Sequence, residues 1–279
     1  MARSPRQEQA GAAARANRAL YASDEARGPA SCSSYRDHAG IRTLHDRLLA
    51  SVFASARRTS EAPRVLDLGS GEGEAARRML ALGARVTAVD VSAEQLAALH
   101  AHAGENGAPL ELRVGDVADV VDEYASTGVT FDVIMANSFL HHVPDYLGLV
   151  RAAAALLPSR GQFLSFQDPL RFDSLPRPTR LLADCFYVTW RLRQRDVVGG
   201  ILRRLRRRRG IYLPDSVEDN AEYHAVRGGV DHDALLALLA ELGFAASLVR
   251  YFATPSVVWQ PVGEALRLEN TFAILAARR

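Results

Sequence analysis

Acid and glycine meet at the end of one short apolar run, Val65-Leu66-Asp67-Leu68-Gly69-Ser70-Gly71-Glu72-Gly73. Glycines at such a bend let backbone approach a ligand where a Cβ would clash. The helix that begins near Ala75 adds unbonded N–H groups at its start. Asp67 sets the sign of the ligand, because a carboxylate there repels a pyrophosphate and suits the ammonium of an amino-acid group. The dinucleotide fingerprint G-x-G-x-x-G needs glycine at position 74, and this chain has Glu74. Both acids disfavour a nicotinamide dinucleotide.

Three more features follow short β-branched runs. Asp90-Val91-Ser92 ends the second run. A carboxylate there either accepts both ribose hydroxyl protons or caps the next helix, for which Ser92 is also suited. After the third run, Asp116 either accepts from an adenine amino group with Val117 packed on the ring, or is a loop acid. After the fourth come Asn137-Ser138-Phe139-Leu140-His141-His142-Val143. Ligands of open α/β sheets bind at the C-terminal ends of parallel strands, and four such ends in order make a joint signal.

The elements that must hold these residues follow from patterning. Strands are expected at 64–68, 85–89, 110–114, 131–135, 160–166, 244–252 and 270–277. Helices are expected at 12–22, 37–56, 73–82, 93–104, 145–157 and 231–242, the last between Asp231 and Gly243. The alternation predicts an α/β fold with a mostly parallel sheet and right-handed crossovers. Residues 169–230 break it with Pro169, Pro176, Pro178, Pro214 and an arginine run. The expected organisation is an N-terminal tail and helical cap at 1–62, a core at 63–168, a lid or substrate insert at 169–230, and a return to the core at 231–279.

Residues 64–168 resemble the core of the class I S-adenosylmethionine (SAM)-dependent methyltransferases, particularly the small-molecule enzymes. Asp67, Gly69, Gly71 and Gly73 match that family's first motif, Asp90 its ribose-binding acid, and Asp116-Val117 its adenine contact. The resemblance implies SAM as cofactor and a Rossmann-like sheet of seven strands with an antiparallel last strand, for which Thr271–Ala277 is suited. The expected cofactor contacts are Asp67, Gly69, Ser70, Gly71, Gly73, Asp90, Val91, Asp116, Val117 and Asn137. The implied activity is transfer of a methyl group to oxygen or nitrogen of a small molecule, with a specialised metabolite among the acceptors expected.

Methyl transfer from a sulfonium needs positioning above all, and a hydroxyl or protonated amine acceptor must also lose a proton. A histidine suits that task. His141 and His142 are the candidates, although histidines here can equally hold the loop together by hydrogen bonds. No metal spacing is present. In the insert, Phe186, Tyr187 and Trp190 either line an apolar acceptor pocket or fill the cap's own core. Asp219, Glu222, Tyr223, His224, Arg227 and then His232 either bind substrate or form a solvated face. The substrate candidates are Tyr187, Trp190, Tyr223 and His224. At the N-terminus, Tyr21, Tyr35 and Arg42 either close over the SAM carboxylate or pack.

Arg203, Arg204 and Arg206 through Arg209 form the densest charge run. It is either a solvated helix or a grip for an anionic acceptor, RNA, an acidic partner or a membrane surface. The alternative function is therefore a SAM-binding module acting through this run. Asn137-Ser138-Phe139 lacks the N/D-P-P-Y/F pattern of base-amine methylation, and the formal charge of the 279 residues is only +2. Nucleic acid is thus not the expected partner. All 34 basic residues are Arg, which reads as codon bias. Cys32 and Cys185 form no framework. No membrane span is expected, and Met1 to Ala14 reads as a frayed tail rather than a signal. A cytoplasmic monomer or homodimer is the expected state.

Overall fold

The computed structural model describes residues 5–22, 38–103, 109–183, 185, 197–213, 216–221, 223–254 and 256–279. Seven strands form one sheet: β1 (Arg64–Leu68), β2 (Arg85–Asp90), β3 (Leu110–Val114), β4 (Val133–Asn137), β5 (Gln162–Pro169), β6 (Phe244–Tyr251) and β7 (Thr271–Arg278). Their order is β3-β2-β1-β4-β5-β7-β6. β1 to β5 pair in parallel, while β7 runs antiparallel to both β5 and β6. The chain order reverses between β1 and β4, which places a crevice at their C-terminal ends.

Helices cover both faces. α1 (Pro5–Ala22), α2 (Ala39–Ala56), α3 (Glu74–Ala81) and α4 (Ala93–Ala103) precede β3, and α5 (Val117–Thr127) and α6 (Tyr146–Ala155) flank β4. The insert contributes α7 (Val197–Arg208) and α8 (Val217–Asn220), and the return contributes α9 (His232–Glu241) and α10 (Trp259–Ala265). On α2, Ile41, Leu48, Leu49 and Val52 recur at helical spacing and are all buried.

Side chains alternate across the sheet with period two, and this sorts the core. Leu66, Leu68, Ile134 and Phe163 pack with α5, α6 and α9. Val65, Val133, Met135, Leu164 and Phe166 pack with α2, α3 and α4. Asp67 and Asn137 continue the second set, so they lie on the face covered by α2, α3 and α4.

The observed elements differ from the sequence expectation in five places, one of which is the unexpected helix α10 between β6 and β7. The N-terminal segment is helical from Pro5, not frayed to Ala14. Ala13 and Ala16 are buried, and α1 packs against α8 of the insert. Helix α5 was not expected. Asp116 caps its start by accepting from Ala118 N–H at 2.9 Å, and Val117, Val120, Val121 and Tyr124 bury one face. Strand β4 begins two residues later than expected, because the Asp132 carboxylate accepts from Arg64 N–H at 2.8 Å at the strand's entry. Strand β5 runs on to Pro169, with an irregular register between Phe166 and Asp168.

The insert leaves and rejoins the sheet at one point. Val230 N–H donates to Pro169 O at 2.9 Å, Phe172 N–H to Gly228 O at 2.8 Å, and Leu170 bridges Val230. No helix among the described residues is long and apolar enough to cross a membrane.

Candidate active site

The loop after β1 is built from its own backbone. Ser70 N–H donates to Val89 O and Gly73 N–H to Ser70 O, at 3.0 and 2.9 Å. Gly69 and Gly73 sit at φ +67° and +76°, and a Cβ at either would fall within 2.3 Å of Phe139 or Leu99 carbon atoms. Side chains are excluded there for two independent reasons.

Asp67 is 1 % exposed. Neither of its carboxylate oxygens has a hydrogen-bond partner, nor do the buried Ser70 Oγ and Asn137 Nδ2. The Asn137 amide and the Ala76 N–H lie near enough to ease the charge without meeting hydrogen-bond geometry. Burial pushes the carboxyl up to about 7, and nearby Asp90 adds to the rise. Orphaned buried polar groups carry a large cost unless a ligand completes them. An acceptor pair at Asp67 beside donors at Asn137 and Ser70 complements the ammonium and carboxylate of an amino-acid moiety. The residues therefore fit the methionine end of SAM.

Asp90 ends β2. Its two oxygens accept from Gly71 and Ser92 N–H, both at 2.9 Å, leaving each oxygen further acceptor capacity. Ser92 Oγ accepts from Gln95 N–H at 3.3 Å, the helix-capping role expected of it. Val91 and Asp116 meet a residue that sequence reasoning missed. Arg18 of α1 donates from Nε to Val91 O at 3.1 Å, and its charge also bears on Asp116. Val117 is buried among α5 side chains. Arg42 lies exposed on α2. Tyr35, Tyr187, Trp190, Phe186 and Glu222 lie outside the described residues, as does the side chain of Tyr21.

His45 was also missed. It sits on α2, 1 % exposed, with Nε2 3.2 Å from Asn137 Oδ1. A carbonyl oxygen only accepts, so Nε2 carries the hydrogen, and the Asn137 amino group turns toward Asp67. Burial lowers the His45 pKa and keeps the ring neutral. The ring lies 4.5 Å from Phe166, which stacks on Tyr251 at 5.4 Å. Tyr251 donates to Gln167 Oε1 at 3.0 Å. Gln167 and Ser138, at the ends of adjacent strands, both hold left-handed backbone, φ 69° and 52°. Such strain in non-glycine residues concentrates at functional sites.

The 140–142 segment forms one 3₁₀ turn with both histidines buried. His141 donates from its backbone N–H and from ring Nδ1 to Asp168 Oδ1, at 3.1 and 2.9 Å. Ser165 donates to the other oxygen of Asp168 at 2.8 Å. Asp168 lies beyond the expected end of β5. With Nδ1 protonated, Nε2 is the basic atom of the His141 ring. His142 Nδ1 instead contacts Ala221 O of the insert. His224 N–H donates to His141 O at 2.7 Å, and its Nε2 donates to Val143 O and Pro144 O at 3.0 and 3.2 Å. Burial lowers the His224 pKa, so this ring too is neutral.

Tyr223 lies 3.8 Å beneath the Arg227 guanidinium, which also covers Tyr212. A cleft of about 380 Å³ opens beside this turn, lined in part by Tyr146, Arg171, His224, Arg227 and Asp231. Of the remaining polar residues in the expected group, His232 is core, 1 % exposed beside Arg250 and Phe272. Asp219 is fully buried, paired with Arg206 and Arg207 at 2.6 and 2.7 Å.

A family model described as "Methyltransferase domain" matches residues 34–245, more than half of the chain. The chain belongs to the class I SAM-dependent methyltransferases. A ubiquinone biosynthesis O-methyltransferase of Xanthomonas axonopodis pv. citri (strain 306) is 39% identical over 114 residues. That match covers 40% of this methyltransferase and 46% of the relative, so the chain spans about half the length of the curated relatives it matches. Two solved structures share the fold. An O-methyltransferase family protein from Burkholderia thailandensis has a TM-score of 0.56 at 18% identity, covering 93% of this chain and 61% of that one. Magnesium protoporphyrin IX methyltransferase from Synechocystis PCC 6803, with bound SAH, has a TM-score of 0.51 at 15% identity over 86% and 85% of the chains. In this methyltransferase, then, the orphaned polar set at the β1 and β4 ends occupies the crevice that the fold reserves for a ligand.

Proposed function

We propose that this methyltransferase moves a methyl group from SAM to a hydroxyl or amine of a small-molecule acceptor, with His141 as the base and Asp168 as its orienting partner. The observation that carries the reading is the His141–Asp168 pair, buried and four residues past Asn137, at the strand ends that hold the orphaned polar set. The relative named as an O-methyltransferase favours oxygen as the acceptor atom. The insert at 169–230 is a loop-borne addition to the core, where binding residues concentrate, and it is the part that would select an acceptor of specialised metabolism.

SAM supplies, when bound, a methyl carbon on a cationic sulfur that departs as a neutral thioether. The chain's own work is placement and proton removal. Asp67, Ser70 and Asn137 hold the amino-acid end, and Asp90 the ribose. Arg18 of α1 pins Val91 beside the adenosine end. Holding two reactants in line supplies on the order of 7–11 kcal/mol of barrier lowering. Asp168 fixes the His141 tautomer, and Nε2 takes the acceptor's proton as the new bond forms. His142 and His224 tie the turn to the insert, so acceptor-binding elements and base move together. Tyr223 and His224 border the acceptor side, with the cleft at Tyr146 and Arg227 as the approach.

Isothermal titration of the protein with SAM tests the cofactor assignment, and lack of heat at millimolar cofactor overturns it. Incubation with labelled SAM and a metabolite extract then identifies the acceptor. A labelled O- or N-methyl product is the expected result. A product methylated on carbon overturns the acceptor class while sparing the cofactor site.

A further inference from the structure

Helix α7 is amphipathic, but its apolar side faces outward. Ile201, Leu202 and Leu205 are 43, 61 and 48 % exposed. Their spacing puts them within one stripe about 100° wide. Arg207, on the opposite side, and Arg206, at the edge of the stripe, reach the fully buried carboxylate of Asp219, at 2.7 and 2.6 Å. The helix therefore anchors through its guanidinium groups and presents its aliphatic groups to the surroundings. Just past it, Ile211 and Leu213 are half exposed and Arg209 is exposed. From Val197 to Leu213 six of 17 residues are Arg and none is acidic.

We propose that this outward stripe of α7 is a docking surface for an anionic lipid surface, lying in the interface with Ile201, Leu202 and Leu205 inserted among the acyl chains and the exposed Arg209 at headgroup level. Aliphatic side chains bordered by cations on a helix too short to span are the pattern of an interfacial helix. Contiguous exposed apolar patches mark interaction sites in general, and the charge selects the occupant. A second copy of this chain docking through the same patch about a two-fold axis would set one arginine cluster against another. Single-stranded RNA is gripped by aromatic platforms, and the nearby Tyr212 is already stacked under Arg227. Lipid satisfies both halves of the surface at once. The placement also has a consequence for traffic to the site. α7 leads through residues 209–216 into α8, and Ala221, next to α8, contacts His142. A docked helix would sit a short chain length from the histidine turn. This inference is independent of which atom is methylated.

The test is co-sedimentation of the full chain with phosphatidylcholine vesicles made with and without phosphatidylglycerol. The protein is expected to pellet with the anionic vesicles and to be released by raised salt. The double variant Leu202→Asp/Leu205→Asp is expected to bind at least about tenfold more weakly, with its thermal melt and SAM titration unchanged. Arg209→Glu should weaken binding without touching the apolar stripe. The proposal is overturned if neither vesicle pellets the protein, or if the double variant pellets like the parent. It is equally overturned if the double variant's only change is dissociation of a dimer, or if single-stranded RNA displaces the vesicles from a surface that the double variant leaves intact.

Discussion

The backbone N–H and the ring Nδ1 of His141 converge on one oxygen, Oδ1 of Asp168, at 3.1 and 2.9 Å. Two donors on one acceptor fix both the turn and the tautomer. A base positioned this way contributes about 10²–10⁴ to the rate. His141→Ala should therefore lower kcat by about that factor with the SAM dissociation constant unchanged. Asp168→Asn should fall between this variant and wild type, because an amide can present its N–H to the wrong ring nitrogen. The rate–pH profile is the sharper readout. Its acidic limb should vanish in His141→Ala, and persistence of that limb would move the base elsewhere.

Asp67 links cofactor binding to pH. Burial raises its carboxyl from 3.8 to about 7. For a raised carboxyl the stabilising contribution is complete below about pH 4 and is lost as pH climbs through about 7. The ligand-free protein should thus melt lower at pH 8 than at pH 5, and Asp67→Asn should remove that part of the slope. An ammonium ligand favours the ionised carboxylate, so SAM should bind more tightly as pH rises across the same window. Matching slopes in wild type and Asp67→Asn would disprove the linkage.

Gly73 combines φ +76° with an imagined Cβ only 2.3 Å from Leu99 Cδ1. Gly73→Ala should cost about 1–3 kcal/mol, from backbone strain plus displacement of Leu99. Urea denaturation with an unchanged slope would show it. SAM affinity should fall in parallel, since the loop backbone shifts.

His45 holds the amide of Asn137, which is proposed to meet the cofactor. Its Nε2 lies 3.2 Å from Asn137 Oδ1, so His45→Phe should leave that amide free to rotate. One lost hydrogen bond of roughly 1 kcal/mol predicts a fivefold or so rise in the KM for SAM. Because His45 is a positioning residue, kcat should change little. A large loss of kcat with unaltered KM would instead place it against the acceptor.

Asp219 is the anchor of the insert. Burial pushes its carboxyl upward, but the Leu213 N–H and the Arg207 and Arg206 guanidinium groups more than offset this and hold it below the usual range. A depressed carboxyl stabilises above its unfolded value and stops doing so as pH falls through the folded one. The insert should therefore loosen below about pH 4. Asp219→Ala should bring the same loosening to neutral pH by stranding two arginines. Limited trypsin digestion reads this directly, because the arginines of α7 should be cut several-fold faster in the variant. Cleavage at the parental rate would mean that the insert is held by other contacts.

The glycine loop and the strand-end acids were legible because they are local. Asp67 and its glycines lie within seven residues, and each later strand end carries its acid or amide next to the run that forms the strand. Helix α5 was not among the sequence expectations, although Val117, Val120, Val121 and Tyr124 show helical spacing after a capping acid. Sequence patterning also marked residues 169–230 as a break in the alternation, though Asp219 reads there as one polar residue among several.

Tertiary structure alone decided the pairs. Arg18 meets Val91 across 73 positions, His45 meets Asn137 across 92, and His141 meets Asp168 across 27. No local pattern announces them, because each depends on which strands lie side by side and which face each side chain takes. The order β1-β4-β5 puts Asp67, Asn137 and Asp168 on neighbouring strands. Period-two alternation turns Asp67 and Asn137 to one face of the sheet, where His45 of α2 meets Asn137. The chain's sequence thus determined a glycine loop and the strand ends around it, since these are contiguous backbone features. Which histidine has a carboxylate behind it, and which side of the arginine helix faces out, was settled only by the burial of opposite charges and apolar faces in the folded sheet.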